Sequence, residues 1–351
     1  MSKRREPSTS WAGSVAFYLA LAALALFAKG CDDATRVGLE HAELFASDYH
    51  WTEPLAEPVW REAAEADHMR ADDPVLGLYL DGRAWALPWW IMKNHHVANL
   101  ILEGRPILLT FCEMCSTAAA FDPLHEGARR AFRLVGLYNG SILLSDRGSD
   151  SLWSPFNGEC VYGPLLGAQL PRLPVYQTQW ADWRGAFPGT RVLFGEESER
   201  GGHGSQNYPG QVAIDPAFLK TLVFELDERM SAGEIVLGVE VAGDAKAYPV
   251  AAVAAAGHVV NDVLGGVEVV AFGRSGTPLA IAFSRRLGQR VLTFTATEDG
   301  RILDRETGST WSFTGEAVAG ALVGEQLDYV SSGTEEWYIW AAYHPGTAIH
   351  R

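Results

Sequence analysis

Cys112 and Cys115 are the residues whose type and spacing promise chemistry. A three-residue step lets both sulfurs point into one small volume, as a disulfide, a metal clamp or a redox pair. His96 lies on the segment that feeds the cysteine strand and is the candidate third ligand. Zinc takes about four ligands, whereas Cu(I) accepts two or three soft ones, so copper fits this set better than zinc. Met114, His95 and Cys160 are weaker additions. Glu159, next to Cys160, is a candidate acid or base if it faces the pair. Tyr138 and Tyr162 are candidate phenols near the site, and His203, in a polar Gly-rich loop, is a candidate lid ligand.

The elements that must hold these residues read as short strands and turns. The apolar run Ile107–Phe111 predicts a strand that ends at the cysteines. Upstream, Val75–Leu80, Asp81-Gly82 and Ala84–Leu87 predict a hairpin with a type I′ turn. Pro88 then suits the start of a helix running to about Leu102. A further helix is predicted over Val59–Met69, within a polar lead-in.

The same order of residues returns about 160 positions later. The segment V-L-G-L-Y-L-D-G-R-A-W-A-L-P at 75–88 matches V-L-G-V-E-V-A-G-D-A-K-A-Y-P at 236–249. His96 and Asn99 match His258 and Asn261, and Asp146 and Trp153 match Asp304 and Trp311. Glu159 matches Glu316, while Trp180, Trp183 and Thr190 match Trp337, Trp340 and Thr347. The fold class expected is α+β: two similar β-rich lobes from an internal duplication, each with short helices, after an N-terminal membrane or signal helix. The divisions are a leader at 1–31, a lead-in at 32–72, a first lobe at 73–195, a Gly-rich connection at 196–233 and a second lobe at 234–351.

Duplication separates scaffold from chemistry. Cys112 and Cys115 fall opposite Arg274 and Thr277, and Cys160 falls opposite Ala317, so the second lobe keeps the pattern without the thiols. His96 and Glu159 persist there as His258 and Glu316. That favours a bracing role for His96 through a hydrogen bond and lowers the case for Glu159. Asn99 and Asn261 read as amides bridging backbone groups, and Asp146 with Trp153 as a shared turn and core contact.

Composition bounds the partners. Apolar residues make up 48% and charged residues 20%, as in a globular protein. The net charge of −15 and pI near 5.1 argue against nucleic-acid binding, which needs clustered Lys and Arg. Lys3, Arg4 and Arg5 precede an uncharged stretch, Trp11–Ala28, which at about 1.5 Å per residue just reaches across a bilayer. This predicts a signal sequence or membrane anchor, with the body on the extracytoplasmic side. Cys31 after Ala-Lys-Gly leaves lipidation open, although Ala28 and Lys29 stand where a lipoprotein signal carries Leu and a small neutral residue. Export leaves Cys112, Cys115 and Cys160 in the body, an odd number, so at least one thiol is free, metal-bound or buried.

These residues resemble the bacterial and archaeal DUF3179 family, of unknown function. The likeness rests on His96–Asn99, Thr110–Asp122 with its Cys-x-x-Cys, Ser151–Ser154 and Phe187–Thr190. Glu113-Met114 departs from the Pro and aliphatic residue common between the cysteines, and Met114 offers a thioether. The resemblance implies no activity, so three readings stand: a soft-metal site of copper or zinc, a thiol–disulfide oxidoreductase, and a ligand-binding module stapled by a disulfide. The partners expected are a metal ion or small molecule and, through the leader, a membrane.

Overall fold

Asp81 and Gly82 both adopt positive φ, 52° and 76°, as a type I′ turn requires. They join the strands Pro74–Leu80 and Arg83–Pro88 in antiparallel register from Val75↔Pro88 to Leu80↔Arg83. The strand Tyr176–Gln179 adds to the free edge of the first, and Arg191–Leu193 runs parallel to the second. The same pairing recurs later in the chain. Ile235–Val241 and Asp244–Pro249 form a hairpin, flanked by Ser332–Glu336 and by a parallel Ala348–Ile349.

In this computed structural model the described residues are 39–46, 53–201, 214–274 and 279–351. Trp11–Ala28, Cys31, His203 and Thr277 lie outside them. The protein is α+β and mostly sheet, with a few short helices. Among the described residues no helix is long and apolar enough to cross a membrane.

Two helix expectations are corrected. Trp60–Glu62 is a strand followed by a 3-10 turn at Ala63–Glu65, because Trp60–Glu62 completes a sheet against Arg191–Leu193. Non-local pairing overrides local propensity there. The helix after Pro88 covers only Trp89–His95. It stops where His96 turns to φ 57°, and Val97–Leu102 becomes a strand paired with Arg105–Cys112.

Gly77 and Gly238 explain one shared feature of the two sequence stretches. A Cβ at Gly77 would overlap the ring of Trp183, and one at Gly238 would overlap the ring of Trp340. Each Trp sits on a short helix, Trp180–Ala186 or Trp337–Tyr343, laid across its hairpin. Each indole N–H donates to a threonine hydroxyl, Trp183 to Thr190 at 3.0 Å and Trp340 to Thr347 at 3.1 Å.

Other contacts recur in the same way. Asn99 donates to the Phe132 carbonyl and accepts from its N–H, as Asn261 does with Phe294. Trp153 Nε1 donates to Asp146 and Trp311 Nε1 to Asp304, both at 2.9 Å. Both carboxylates are buried and are capped by neighbouring Ser149 or Thr307.

The cores combine distant parts of the chain. Trp337, Tyr338 and Trp340 pack with Cys112, Cys115, Phe121, Trp153 and Phe156. Trp180 and Trp183 pack instead with Phe272, Phe294 and Trp311. Each short helix therefore fills the core beneath the sheets of the other half. Burying a large side chain of this kind contributes about 3 kcal/mol, so the halves are bound strongly to one another.

Candidate functional site

The strand Arg105–Cys112 ends at the first thiol and the chain reverses through Glu113–Ser116. Thr117–Phe121 then pairs back in register from Cys112↔Thr117 to Leu108↔Phe121. Ser116 takes φ 53° to close this reversal, and Thr117 Oγ1 donates to the Cys115 carbonyl at 3.0 Å. A local, hydrogen-bonded turn thus holds both cysteines on one side. Both thiols are buried and free, with Cys112 2% and Cys115 0% exposed.

The surroundings are polar and acidic despite that burial. Cys115 Sγ lies 3.9 Å from the Cys112 carbonyl and 4.0 Å from Ser141 Oγ. Ser116 Oγ donates to Glu336 Oε1 at 3.2 Å. Glu336, from the far end of the chain, directly precedes the Trp337–Tyr343 helix. Tyr338, on the same helix, donates to the Gly140 carbonyl at 3.0 Å and lies within hydrogen-bonding reach of Cys115. Gln177 Nε2 ties the site to the strands by donating to the Thr334 carbonyl at 2.7 Å.

Burial pushes the Cys112 thiol well above its ordinary value, and the Cys115 thiol and the Glu113 carboxylate push it the same way. Burial also raises the Tyr338 phenol, helped by both cysteines and Glu336. Cys112 therefore rests as a neutral thiol. A thiolate nucleophile is instead favoured by positive, partly exposed surroundings.

His96 does not reach toward the sulfurs through Nδ1. That nitrogen lies 3.1 Å from the Phe111 carbonyl and 3.3 Å from Glu113 Oε2. The main chain explains its recurrence as His258. His96 and His258 both have positive φ, and their carbonyls accept from Phe111 and Gly273 in turn. Among the described residues no three of His, Cys, Asp and Glu are arranged to hold a metal ion together.

The remaining sequence candidates are spread around the centre. Glu159 accepts from Asn157 Nδ2 at 3.1 Å within its own turn. Cys160 is buried beside Trp153, and its thiol is directed at the Tyr162 carbonyl at 3.3 Å. His95 contacts the Glu53 carbonyl at 2.7 Å, Met114 packs against the core, and Tyr162 is exposed. Tyr138 is buried, and burial with the nearby Glu159 and Glu40 raises its phenol.

Sequence reasoning missed Glu335, Glu336 and Tyr338. Among the described residues neither Glu335 oxygen has a hydrogen-bond partner, and burial pushes this carboxyl up to about 7 against the opposing pull of Arg172. His344, also near Arg172, is pushed down to about 4, chiefly by burial. A signal existed. Where the first half reads Thr178-Gln179-Trp180, the second reads Glu335-Glu336-Trp337, so the acids are as specific to one half as the thiols are.

Fold and centre together define a β-rich protein built around a buried dithiol. The chain belongs to the DUF3179 family, described as proteins of unknown function, whose model matches residues 54–347. No curated protein and no solved structure matches the chain.

Proposed function

We propose that Cys112 and Cys115 are the working centre and bind a soft metal ion, copper(I) in preference to zinc. The observation that carries this reading is a pair of free, buried thiols in one turn, surrounded by acidic side chains. Such surroundings penalise a bare Cys112 thiolate but favour a cation that replaces its proton. Two sulfurs satisfy copper(I), whereas zinc needs about four ligands. Met114 and His96 are the further donors the sequence suggests, and His96 is the weaker because its Nδ1 already faces Phe111 and Glu113.

Thiol–disulfide exchange is the second reading, and the raised Cys112 thiol weighs against it. Glu159 as an acid or base draws no support from its bond to Asn157.

The recurring hairpins, Trp–Thr bonds and Asp–Trp bonds support an origin by duplication, with the thiols kept in one copy. Lys3–Arg5 and Trp11–Ala28 support an exported, membrane-associated protein whose centre works on the extracytoplasmic side.

Metal analysis of the full chain purified under reducing conditions tests the centre. The expected result is about one copper per chain after copper(I) loading, lost in Cys112→Ser/Cys115→Ser and kept in Cys160→Ser. Equal copper or zinc content in the native protein and the double variant overturns the reading.

A further inference from the structure

We propose that a second site, remote in sequence from the thiols, binds a small organic ammonium ion carried on an apolar body. The site is a cavity of about 290 Å³ between the Trp180–Ala186 helix and the turn after Trp311. It is independent of the metal reading.

The space is specific to this half of the molecule. In the other half, the Phe156 and Tyr343 rings stack at 4.2 Å, and the Tyr343 hydroxyl bonds Ser154 at 2.8 Å. Phe156 follows Trp153 by the same interval as Thr314 follows Trp311. Tyr343 follows Trp340 as Ala186 follows Trp183. Thr314 and Ala186 thus stand where two stacked rings close the gap, and both line the open cavity. The hollow opens to solvent and is roomy enough to admit a small organic molecule.

Its walls select the chemistry. Trp183, Phe187 and Phe313 supply aromatic surface, and Phe187 stacks on Tyr79 at 4.7 Å. Arg274 is neutralised by Asp182 at 3.0 Å. An adjoining cavity of about 480 Å³ shares Ala186, Phe187 and Glu316, and there Arg83 and Arg191 are both paired with Glu103. Glu316 accepts from the Tyr79 hydroxyl at 3.2 Å and has no cationic partner among the described residues. A half-buried carboxylate ringed by aromatic faces attracts a cation by charge and by cation–π contact. The net charge of −15 draws cations toward the protein as a whole.

Isothermal titration of the full chain with phenethylammonium chloride, 2-phenylethanol and sodium phenylacetate tests the site. The expected result is saturable binding of the ammonium probe, roughly tenfold tighter than the alcohol and tighter still than the carboxylate. Glu316→Gln removes that preference and Ala186→Tyr, which fills the hollow, abolishes binding. Ala186→Leu replaces the tyrosine variant if that variant fails to fold. Absence of saturable binding, equal affinity for the alcohol, or an unaffected Glu316→Gln variant overturns the proposal.

Discussion

Ser116 Oγ donates to Glu336 Oε1 across 3.2 Å, joining residues 220 positions apart in the chain. One sits in the turn that carries Cys115, and the other directly precedes the Trp337–Tyr343 helix that packs against it. Removing this donor takes one hydrogen bond from a buried carboxylate, a loss of about 1–3 kcal/mol for a bond to a charged group. Ser116→Ala is therefore expected to lower the urea midpoint without changing the slope. It should also speed modification of Cys115 by a thiol reagent in the native protein. Unchanged reactivity alongside unchanged stability would show that the contact does not hold the turn.

Gly77 and Gly238 admit no Cβ, because Trp183 and Trp340 lie flat against them. Alanine at either position must displace an indole that is also tethered to a threonine. Each substitution should destabilise the protein by about 1–3 kcal/mol, measured by thermal unfolding. Gly82→Ala has open space around it, so its cost comes only from the positive φ of 76°.

Asp146 sets a pH limit at the acid end. Burial pushes its carboxyl up, but hydrogen bonds from Ser149 and Trp153 and the charge of Arg130 outweigh burial and hold it below the usual range. A depressed folded value means stability that is present above the unfolded value of 3.8 and is lost as pH falls through the folded one. Asp146→Asn should be less stable than the native protein at pH 6, and the gap should narrow below about pH 3. Parallel denaturation curves at both pH values check this.

Glu335 acts in the opposite sense near neutrality. Its folded value is about 7 against an ordinary 4.5, so the folded state holds the proton more tightly. Stability from this group is then full below the unfolded value and is lost as pH rises from about 4.5 to about 7. Glu335→Gln removes that slope. The variant is expected to gain stability relative to the native protein at pH 8 and to match it more closely at pH 5, read from urea midpoints.

Where neighbours in sequence are neighbours in space, the chain was legible. The hairpin at Asp81-Gly82, the strand into Cys112 and the amide bridge of Asn99 all rest on local geometry or on a pattern repeated in order. The helices expected over Val59–Met69 and beyond His95 were wrong for the converse reason. Trp60–Glu62 and Val97–Leu102 take their conformation from strands that pair with them.

Family, mainly sheet character and the turn that presents Cys112 and Cys115 can be read from the residues in order, since spacing and backbone propensity are local properties. Tertiary structure alone decided what surrounds those thiols. Glu336 and Tyr338 arrive from the far end of the chain because the Trp337–Tyr343 helix buries its aromatic face under the opposite half. Burial in that shared core, rather than any nearby residue, is the largest influence keeping the Cys112 thiol protonated.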